Sequence, residues 1–293
     1  MGIYIVQTVI ARNFKSLSHT LKNIDLKKNK IGLVPTMGCL HDGHLELIKK
    51  SKKLNYFTIV TIFINPLQFN NKADLKSYPS KEKTDIILLK KNKVNLIFIP
   101  NIAEVYPKNY STYLYESSFS KILCGKHRKN HFSGVTTIVL KLFLLIKPNF
   151  VFFGEKDFQQ LVIISKIVKD LNLDLKIIKV PTVRDEYGLA LSSRNNLLSK
   201  KNLLLARKLY QSLKKVEEYK TKDVKHIINK LKTSLKKLGI TNIEYLEIRE
   251  SINLKTPRYI DEKKETRVFV AVKINQVRLI DNYVLKKISP RKV

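Results

Sequence analysis

Cysteine, tryptophan, glycine and acidic residues are all scarce in this chain. The two cysteines, Cys39 and Cys124, form no Cys-x-x-Cys pair, so the sequence has no disulfide framework and is not a small disulfide-stabilised secreted fold. No apolar stretch approaches the roughly 20 residues that span a bilayer, and the N-terminus has no basic segment followed by an apolar signal core. We therefore expect a soluble, reduced, cytoplasmic protein without a membrane partner.

Basic residues outnumber acidic ones by 56 to 24, which gives a formal net charge of +32. A charge of this size attracts nucleic acid or anionic lipid without specificity. Most of the basic residues are lysines, scattered in short groups such as Lys214 with Lys215 and Lys236 with Lys237, where helical periodicity places a solvated face. We predict no specific nucleic-acid partner, and keep a basic nucleic-acid-binding protein as the alternative from a different functional class.

Apolar strands alternate with amphipathic helices over residues 1–182. This order is typical of a parallel sheet wound on both faces, whose ligands lie beyond the carboxyl ends of the strands. After Pro181 the pattern changes to two Lys-rich helices and three short strands, which predicts a smaller α+β domain over residues 183–293. The first domain's predicted strands are Ile31–Pro35, Phe57–Ile64, Val94–Ile99, Phe150–Phe153 and Leu175–Val180, its predicted helices are Leu45–Lys53, Lys81–Lys91, Val135–Leu145 and Phe158–Leu171, and the second domain's predicted strands are Ile243–Ile248, Val268–Ile274 and Val277–Tyr283.

His41 and His44 stand one helical turn apart, where an apolar strand gives way to an amphipathic helix. The unpaired N–H groups and positive dipole end of a helix N-terminus favour an anion there. Two imidazoles at positions i and i+3 share one face and can both reach it. The spacing therefore predicts a phosphate site, with a His-x-x-His metal pair or two surface histidines beside a turn as the alternatives.

Polar segments also follow other predicted strands. Asn65 and Gln68 are neutral amides that suit a hydroxyl or carboxylate ligand, or that simply stabilise a loop. Lys156 supplies a mobile charge suited to phosphate, Asp157 can cap the next helix or approach a metal, and Gln160 lies about one turn into that helix.

Two further segments combine hydroxyl and cationic side chains. Ser192, Ser193 and Arg194 can form a flexible triphosphate clamp, or a plain turn with a helix cap. Arg128 and His131 precede a helix predicted to begin near Ser133 and to be capped by it, and two cations ahead of a helix N-terminus again suggest an anion.

Taken in order, these segments resemble the pantothenate synthetase family, the ligases of pantoate and beta-alanine. The resemblance covers nearly the whole chain and implies a member of the HIGH-motif nucleotidyltransferase superfamily: a Rossmann-like domain followed by a C-terminal lid domain. The motifs are Val34-Pro-Thr-Met-Gly with His41-Asp-Gly-His44, Ile62-Phe-Ile-Asn-Pro-Leu-Gln-Phe69, His131-Phe-Ser-Gly-Val-Thr-Thr137 with Lys141-Leu-Phe143, Phe153-Gly-Glu-Lys-Asp-Phe-Gln-Gln160, Gly188-Leu-Ala-Leu-Ser-Ser-Arg-Asn195 and Arg278-Leu-Ile-Asp-Asn282.

The resemblance implies a two-step ligation in a homodimeric enzyme. Pantoate's carboxylate attacks the α-phosphate of ATP, pyrophosphate leaves, and the amine of beta-alanine then displaces AMP from the bound pantoyl adenylate. His44, the implied proton donor, acts with His41, Lys156 and Arg194 as catalytic residues; Gln68 and Gln160 bind pantoate, Gln68 also binds beta-alanine, and Mg²⁺ travels with the triphosphate near Asp85. The implied ATP-binding residues are Met37, Gly38, His41, His44, Gly154, Glu155, Lys156, Asp157, Val183, Leu191, Ser192, Ser193 and Arg194.

The sequence departs from the family pattern at a few positions. Cys124 stands where relatives commonly carry Glu, Ser80 where Arg often follows Tyr-Pro, and Lys129-Asn130 where Pro-Gly is typical. The departures at Cys124 and Lys129-Asn130 lie in the loop from Cys124 to His131, and none of the three changes the phosphate motifs. A cytidylyltransferase or phosphopantetheine adenylyltransferase of the same superfamily is the enzyme alternative, but it accounts poorly for the Gln68 and Gln160 segments.

Overall fold

The computed structural model describes residues 7–25, 29–70, 72–219 and 221–285. The chain divides into two compact units. The first comprises Met1–Ser120, Arg128–Glu155 and Gln160–Pro181, and the second comprises Lys121–His127, Lys156–Gln159 and Thr182–Val293. Two short segments that precede residue 160 thus belong to the second unit.

The first unit is built on a six-stranded parallel sheet with the order β1-β4-β3-β2-β5-β6. Its central strands are buried and mostly apolar, because helices cover both faces of such a sheet, and their polar residues Thr36, Thr58 and Thr61 are buried as well. Strands β2 and β3 pair along their full length, from Ile31 opposite Phe57 to Thr36 opposite Ile62. The carboxyl ends of β2, β3 and β5 are therefore neighbours at one edge of the sheet. The strands are β1 (Val9–Ala11), β2 (Ile31–Thr36), β3 (Phe57–Ile62), β4 (Leu96–Phe98), β5 (Phe150–Gly154) and β6 (Lys176–Val180).

Helices α2 and α7 begin earlier than the apolar periodicity predicted, whereas α8 begins at Phe158 as predicted and α4 begins at Glu82, one residue later than predicted. Helix α2 begins at Asp42 rather than Leu45. The apolar periodicity did not reveal this start because the first turn of the helix is polar. The prediction that Ser133 caps α7 is wrong: α7 begins at His131, after Asn130 in the left-handed conformation with φ of 62°. The helices up to residue 170 are α1 (Phe14–Lys22), α2 (Asp42–Lys53), α3 (Lys72–Ser77), α4 (Glu82–Lys91), α5 (Ile102–Val105), α6 (Cys124–His127), α7 (His131–Ile146) and α8 (Phe158–Asp170).

The second unit contains a three-stranded antiparallel sheet of order β7-β8-β9, with β7 (Ile243–Glu250), β8 (Thr266–Ile274) and β9 (Val277–Val284). Two amphipathic helices, α9 (Lys200–Lys214) and α10 (Val224–Lys237), pack their apolar stripes into the same core as the sheet. Ser199 and Asp223 cap these helices by accepting from backbone N–H groups of their first turns. The predicted α/β class, a Rossmann-like parallel sheet followed by a smaller α+β region, is confirmed.

No helix in the described part of the chain combines the length and apolar character needed to cross a membrane.

Candidate active site

His41 and His44 lie at the beginning of α2 in the loop of residues 36–44, which we call the histidine loop. His41 is the N-cap residue, and its Nδ1 accepts from the backbone N–H of Gly43 at 3.1 Å. The Nδ1 of His44 accepts from the backbone N–H of His41 at 3.3 Å, and the two ring centroids are 4.1 Å apart. Because both Nδ1 atoms are acceptors, each neutral ring carries its proton on Nε2. The structure thus provides two neighbouring Nε2–H donors at a helix N-terminus.

Asp85, in the first turn of α4, holds the backbone of the histidine loop. Its carboxylate oxygens accept from the N–H groups of Cys39 at 2.7 Å and Leu40 at 2.9 Å. Burial raises the pKa of the Asp85 carboxyl, while the two N–H groups act in the opposite direction. Gly38 has a φ of 79°, and an added Cβ would lie 3.0 Å from Oδ2 of Asp85, so the loop passes close to this carboxylate.

Gln68 is held beside the histidine loop by hydrogen bonds to its side chain. Its Nε2 donates to Sδ of Met37 at 3.0 Å, and its Oε1 accepts from Nδ2 of Asn65 at 3.1 Å. Asn65 is 1% exposed and also donates to the carbonyl of Gly134 and accepts from the hydroxyl of Tyr106. Asn65 therefore stabilises the loop, as the alternative interpretation of this segment predicted, and the binding of a ligand by Gln68 stays a prediction.

Arg128 and His131 hold the backbone of Gln68. The carbonyl of Gln68 accepts from Nη2 of Arg128 at 3.2 Å and from Nδ1 of His131 at 2.8 Å. Arg128 also donates from Nη1 to Nε2 of His131 at 3.1 Å, so His131 is the neutral tautomer with its proton on Nδ1. The observed contacts of these two residues position Gln68, and the sequence interpretation of them as an anion site stays a prediction.

In the second unit, Lys156 lies in a short 3-10 turn, Glu155–Asp157, that follows β5. Its Nζ is 3.6 Å from Oδ2 of Asp157, and its carbonyl accepts from Nδ2 of Asn282 at 3.1 Å. Gln160, which belongs to the first unit, is the third residue of α8 and is half-buried.

Ser192, Ser193 and Arg194 lie at the beginning of a short 3-10 helix, Ser193–Leu197, in the second unit. Ser192 is the N-cap of this helix and accepts from the backbone N–H of Arg194. This agrees with the predicted alternative, a turn with a helix cap. Upstream, the backbone N–H of Leu191 donates to the carbonyl of Val183 at 2.9 Å, which closes a narrow loop. The structure thus brings together the predicted residues from Val183 to Arg194, while their contacts with ATP stay a prediction.

A sequence profile described as Pantoate-beta-alanine ligase matches residues 9–284. The chain belongs to this family. Proteins named pantothenate synthetase from Buchnera aphidicola subsp. Acyrthosiphon pisum (strain Tuc7) and Pseudothermotoga lettingae are 45% and 42% identical to it, over 93% and 96% of this chain and 97% and 100% of theirs. The predicted family and enzyme class are confirmed.

Solved structures of the pantoate-beta-alanine ligase family have the same fold as this chain. The pantothenate synthetase of Thermus thermophilus matches with a TM-score of 0.88 at 33% identity, covering 96% of this chain and 100% of its own. The Francisella tularensis ligase, solved in complex with beta-gamma ATP and beta-alanine, matches with a TM-score of 0.81 at 37% identity, covering 95% of this chain and 98% of its own.

Cys124, a departure from the pantoate-beta-alanine ligase pattern, is a buried contact within the second unit. Its Sγ lies 3.0 Å from the hydroxyl of Tyr245 and 3.5 Å from Nη2 of Arg278. Nε of Arg278 donates to Glu244 at 2.7 Å, so a carboxylate balances the guanidinium although position 124 carries none. Burial raises the pKa of the Tyr245 hydroxyl. Sequence reasoning missed Glu244 and Tyr245, because their partners are distant in the chain.

The described residues contain no group of three or more His, Cys, Asp or Glu side chains able to hold the metal predicted for this chain. Asp85 already accepts a backbone N–H on each carboxylate oxygen. A Mg²⁺ ion bound by the phosphates of its nucleotide and by water needs no such cage. The predicted role of Asp85 in metal binding is therefore still a prediction, and its observed contacts are with the histidine loop.

Gly134→Ala is expected to destabilise the protein by about 1–3 kcal/mol, the usual range for an overpacked core site. An added Cβ would lie 2.4 Å from the carbonyl carbon and oxygen of Leu67 and 2.6 Å from the nitrogen of Gln68, all of them backbone atoms. Urea unfolding measures this loss, with Ser133→Ala, one residue earlier in α7, as the matched control. Equal stabilities of the two variants would show that the segment of Gln68 shifts without cost.

Proposed function

We propose that this chain catalyses the ATP-dependent ligation of pantoate and beta-alanine through a pantoyl adenylate, releasing pyrophosphate and then AMP. The observation that carries the proposal is the pair of Nε2–H donors that His41 and His44 present at the N-terminus of α2. Donors fixed in this way stabilise charge that develops on a phosphoryl group, with no reorganisation at the moment of reaction.

In the first step, a carboxylate oxygen of pantoate forms a bond to the α-phosphorus, and the bond from that phosphorus to the pyrophosphate oxygen breaks. The step needs positioned donors and cations rather than a covalent enzyme intermediate. His44 and His41 donate to the phosphate oxygens, and Asp85 keeps the loop beneath them in place through Cys39 and Leu40. Mg²⁺, when bound with the nucleotide, neutralises part of the phosphate charge.

The remaining predicted groups are assigned by their chemistry. Lys156 and Arg194 supply cations to the phosphates, and Ser192 and Ser193 supply hydroxyl donors. The other residues that we propose to line the nucleotide are Met37, Gly38, Gly154, Glu155, Asp157, Val183 and Leu191.

Pantoate is proposed to bind through the neutral amides of Gln68 and Gln160. An amide both donates to a hydroxyl and accepts from it without adding charge, which suits a hydroxy acid. In the second step, the amine of beta-alanine, bound near Gln68, attacks the acyl carbon. The bond from that carbon to AMP breaks, and the nitrogen loses a proton. We also propose that the enzyme is homodimeric, as the family resemblance implies, and cytoplasmic, as the sequence analysis expects.

Pyrophosphate release tests the proposed order of steps. With ATP and pantoate alone, we expect one burst of pyrophosphate equal to the enzyme concentration, because the adenylate stays bound. Adding beta-alanine should then start steady turnover with the release of AMP and pantothenate. Pyrophosphate that appears only when all three substrates are present would contradict a separate adenylation step.

Neutralising the exposed lysines of α9 and α10 should leave the enzyme active but weaken its retention on nucleic acid. Lys214, Lys215, Lys236 and Lys237 are exposed at the carboxyl ends of the two helices. With all four changed to Gln, pantothenate formation should stay within about twofold, since distant surface substitutions seldom matter. DNA retention should fall and keep a steep salt dependence, because it arises from counterion release.

The wild-type protein at several salt concentrations is the control for this variant. Sequence-selective binding that persists at high salt, together with no pantoate-dependent turnover, would overturn the enzyme function in favour of nucleic-acid binding.

A further inference from the structure

Asp281 and Asn282 end the sequence motif Arg278-Leu-Ile-Asp-Asn282 on β9, and the proposed reaction gives them no part. Both side chains are buried, with exposed fractions of 4% and 5%. Buried polar side chains need hydrogen-bond partners, so the partners of Asp281 and Asn282 indicate the role of these two residues.

The Asn282 amide connects β9 to the backbone of Lys156. Its Oδ1 accepts from Nη1 of Arg267 at 2.8 Å, and its Nδ2 donates to the carbonyl of Lys156 at 3.1 Å. A guanidinium has no acceptor atom, so the atom facing Arg267 must be the oxygen, and the NH₂ group must then face Lys156. The guanidinium of Arg267 is itself fixed over the ring of Phe158, 3.9 Å from the ring centroid.

Asp281 connects the same strand to the loop that leads to Ser192. Its two oxygens accept from Nη1 and Nη2 of Arg184 at 2.7 and 2.8 Å, a bidentate pair whose carboxylate side chain is 2% exposed. Arg184 also donates to the carbonyl of Gly188 at 3.0 Å and lies 3.6 Å from the ring centroid of Tyr210. Arg184 therefore crosses the loop between Val183 and Leu191 and fixes its width.

We propose that Asp281 and Asn282 are positioning residues for the phosphate-binding groups of this enzyme. The hydrogen bond from Asn282 fixes the position of the Lys156 backbone. The ion pair of Asp281 with Arg184 fixes the loop that leads to Ser192, Ser193 and Arg194. A lysine side chain is long and flexible, so the position of its backbone limits where its ammonium group can reach. The inference rests on the proposed function.

Asn282→Asp tests the proposal with little change of shape. The variant keeps an acceptor for Arg267 but replaces the N–H donor to Lys156 with an oxygen that repels the carbonyl. We expect the rate of pyrophosphate release to fall about tenfold, since small misplacements of a catalytic group are costly. The KM for pantoate should stay within about twofold, because the lost hydrogen bond is to Lys156 and not to a residue proposed to bind pantoate.

A double-mutant cycle with Lys156→Ala separates positioning from general damage. In the Lys156→Ala background, Asn282→Asp should cost less than about twofold, because the group that it positions is already absent. A tenfold loss in both backgrounds would overturn the proposal. Tyr283→Phe, the next residue on β9, removes a contact with Glu217 and is the matched control, with expected wild-type activity.

Asp281→Asn tests the loop, with hydrogen exchange as the second measurement. The amide of Leu191, which donates to Val183, should exchange faster in this variant than in Tyr283→Phe. Unchanged exchange at Leu191 in folded Asp281→Asn would overturn the role of Asp281. Wild-type protein without pantoate-dependent pyrophosphate release contradicts the proposed function, whereas an active wild type with fully active Asn282→Asp contradicts only this inference.

Discussion

His44→Ala and Lys156→Ala are each expected to slow pantoate-dependent pyrophosphate release by about 10²-fold or more. This is the scale of loss when one well-placed donor is removed from a charged transition state. His44 presents its Nε2–H because its Nδ1 accepts from the backbone of His41, and Lys156 contributes a mobile positive charge. Single-turnover measurements of pyrophosphate release give the effect on the adenylation step alone.

A matched control is needed for His44, because alanine also removes its hydrogen bond to the N-cap residue. His44 is at the third position of α2, where glutamine also accepts from the N-cap backbone in a capping box. His44→Gln should therefore keep the thermal stability of the wild type and still lose about 10²-fold in adenylation. Losses smaller than about threefold in both His44→Ala and Lys156→Ala would contradict their assignment to the phosphates.

The elements that could be predicted from the sequence are those in which local pattern and environment agree. The runs around Val34, Val60 and Val151 are apolar because they are buried on both faces of a parallel sheet, and each is a strand. The histidine turn was predicted because capping is local: the Nδ1 atoms of His41 and His44 each accept from a backbone N–H within three residues.

The features that could not be predicted depend on partners far apart in the chain. Asp85 holds Cys39 across 46 residues, and Asn282 holds Lys156 across 126, so neither pairing leaves a local pattern. The start of α7 was misplaced for a different, local reason. Asn130 takes a left-handed conformation there, and no side-chain hydrogen bond caps the helix. Strand β1 was missed because three residues are too few to show a period.

Gln159 and Gln160 are adjacent in α8, and the structure separates their roles. Gln159 is 5% exposed; its Oε1 accepts from the N–H of Cys124 at 3.0 Å and its Nε2 donates to the carbonyl of Ile122 at 2.7 Å. Both polar atoms of Gln159 are thus committed to holding the segment that contains Cys124. The adjacent Gln160 is half-buried and is the amide that we propose for pantoate.

Gln160→Leu is expected to raise the KM for pantoate about 30-fold while changing the Kd for ATP less than about twofold. A substrate hydroxyl left without its partner in a closed pocket costs ~2 kcal/mol, and leucine fills a similar volume without a polar atom. Steady-state kinetics with pantoate varied, together with calorimetric ATP titration, give the two numbers. Gln159→Leu is the matched control: it should lower thermal stability by leaving the N–H of Cys124 and the carbonyl of Ile122 unpaired, without a selective effect on pantoate. If Gln160→Leu weakens ATP and pantoate equally, the substitution has disturbed the beginning of α8, and Gln160 is not the specificity residue.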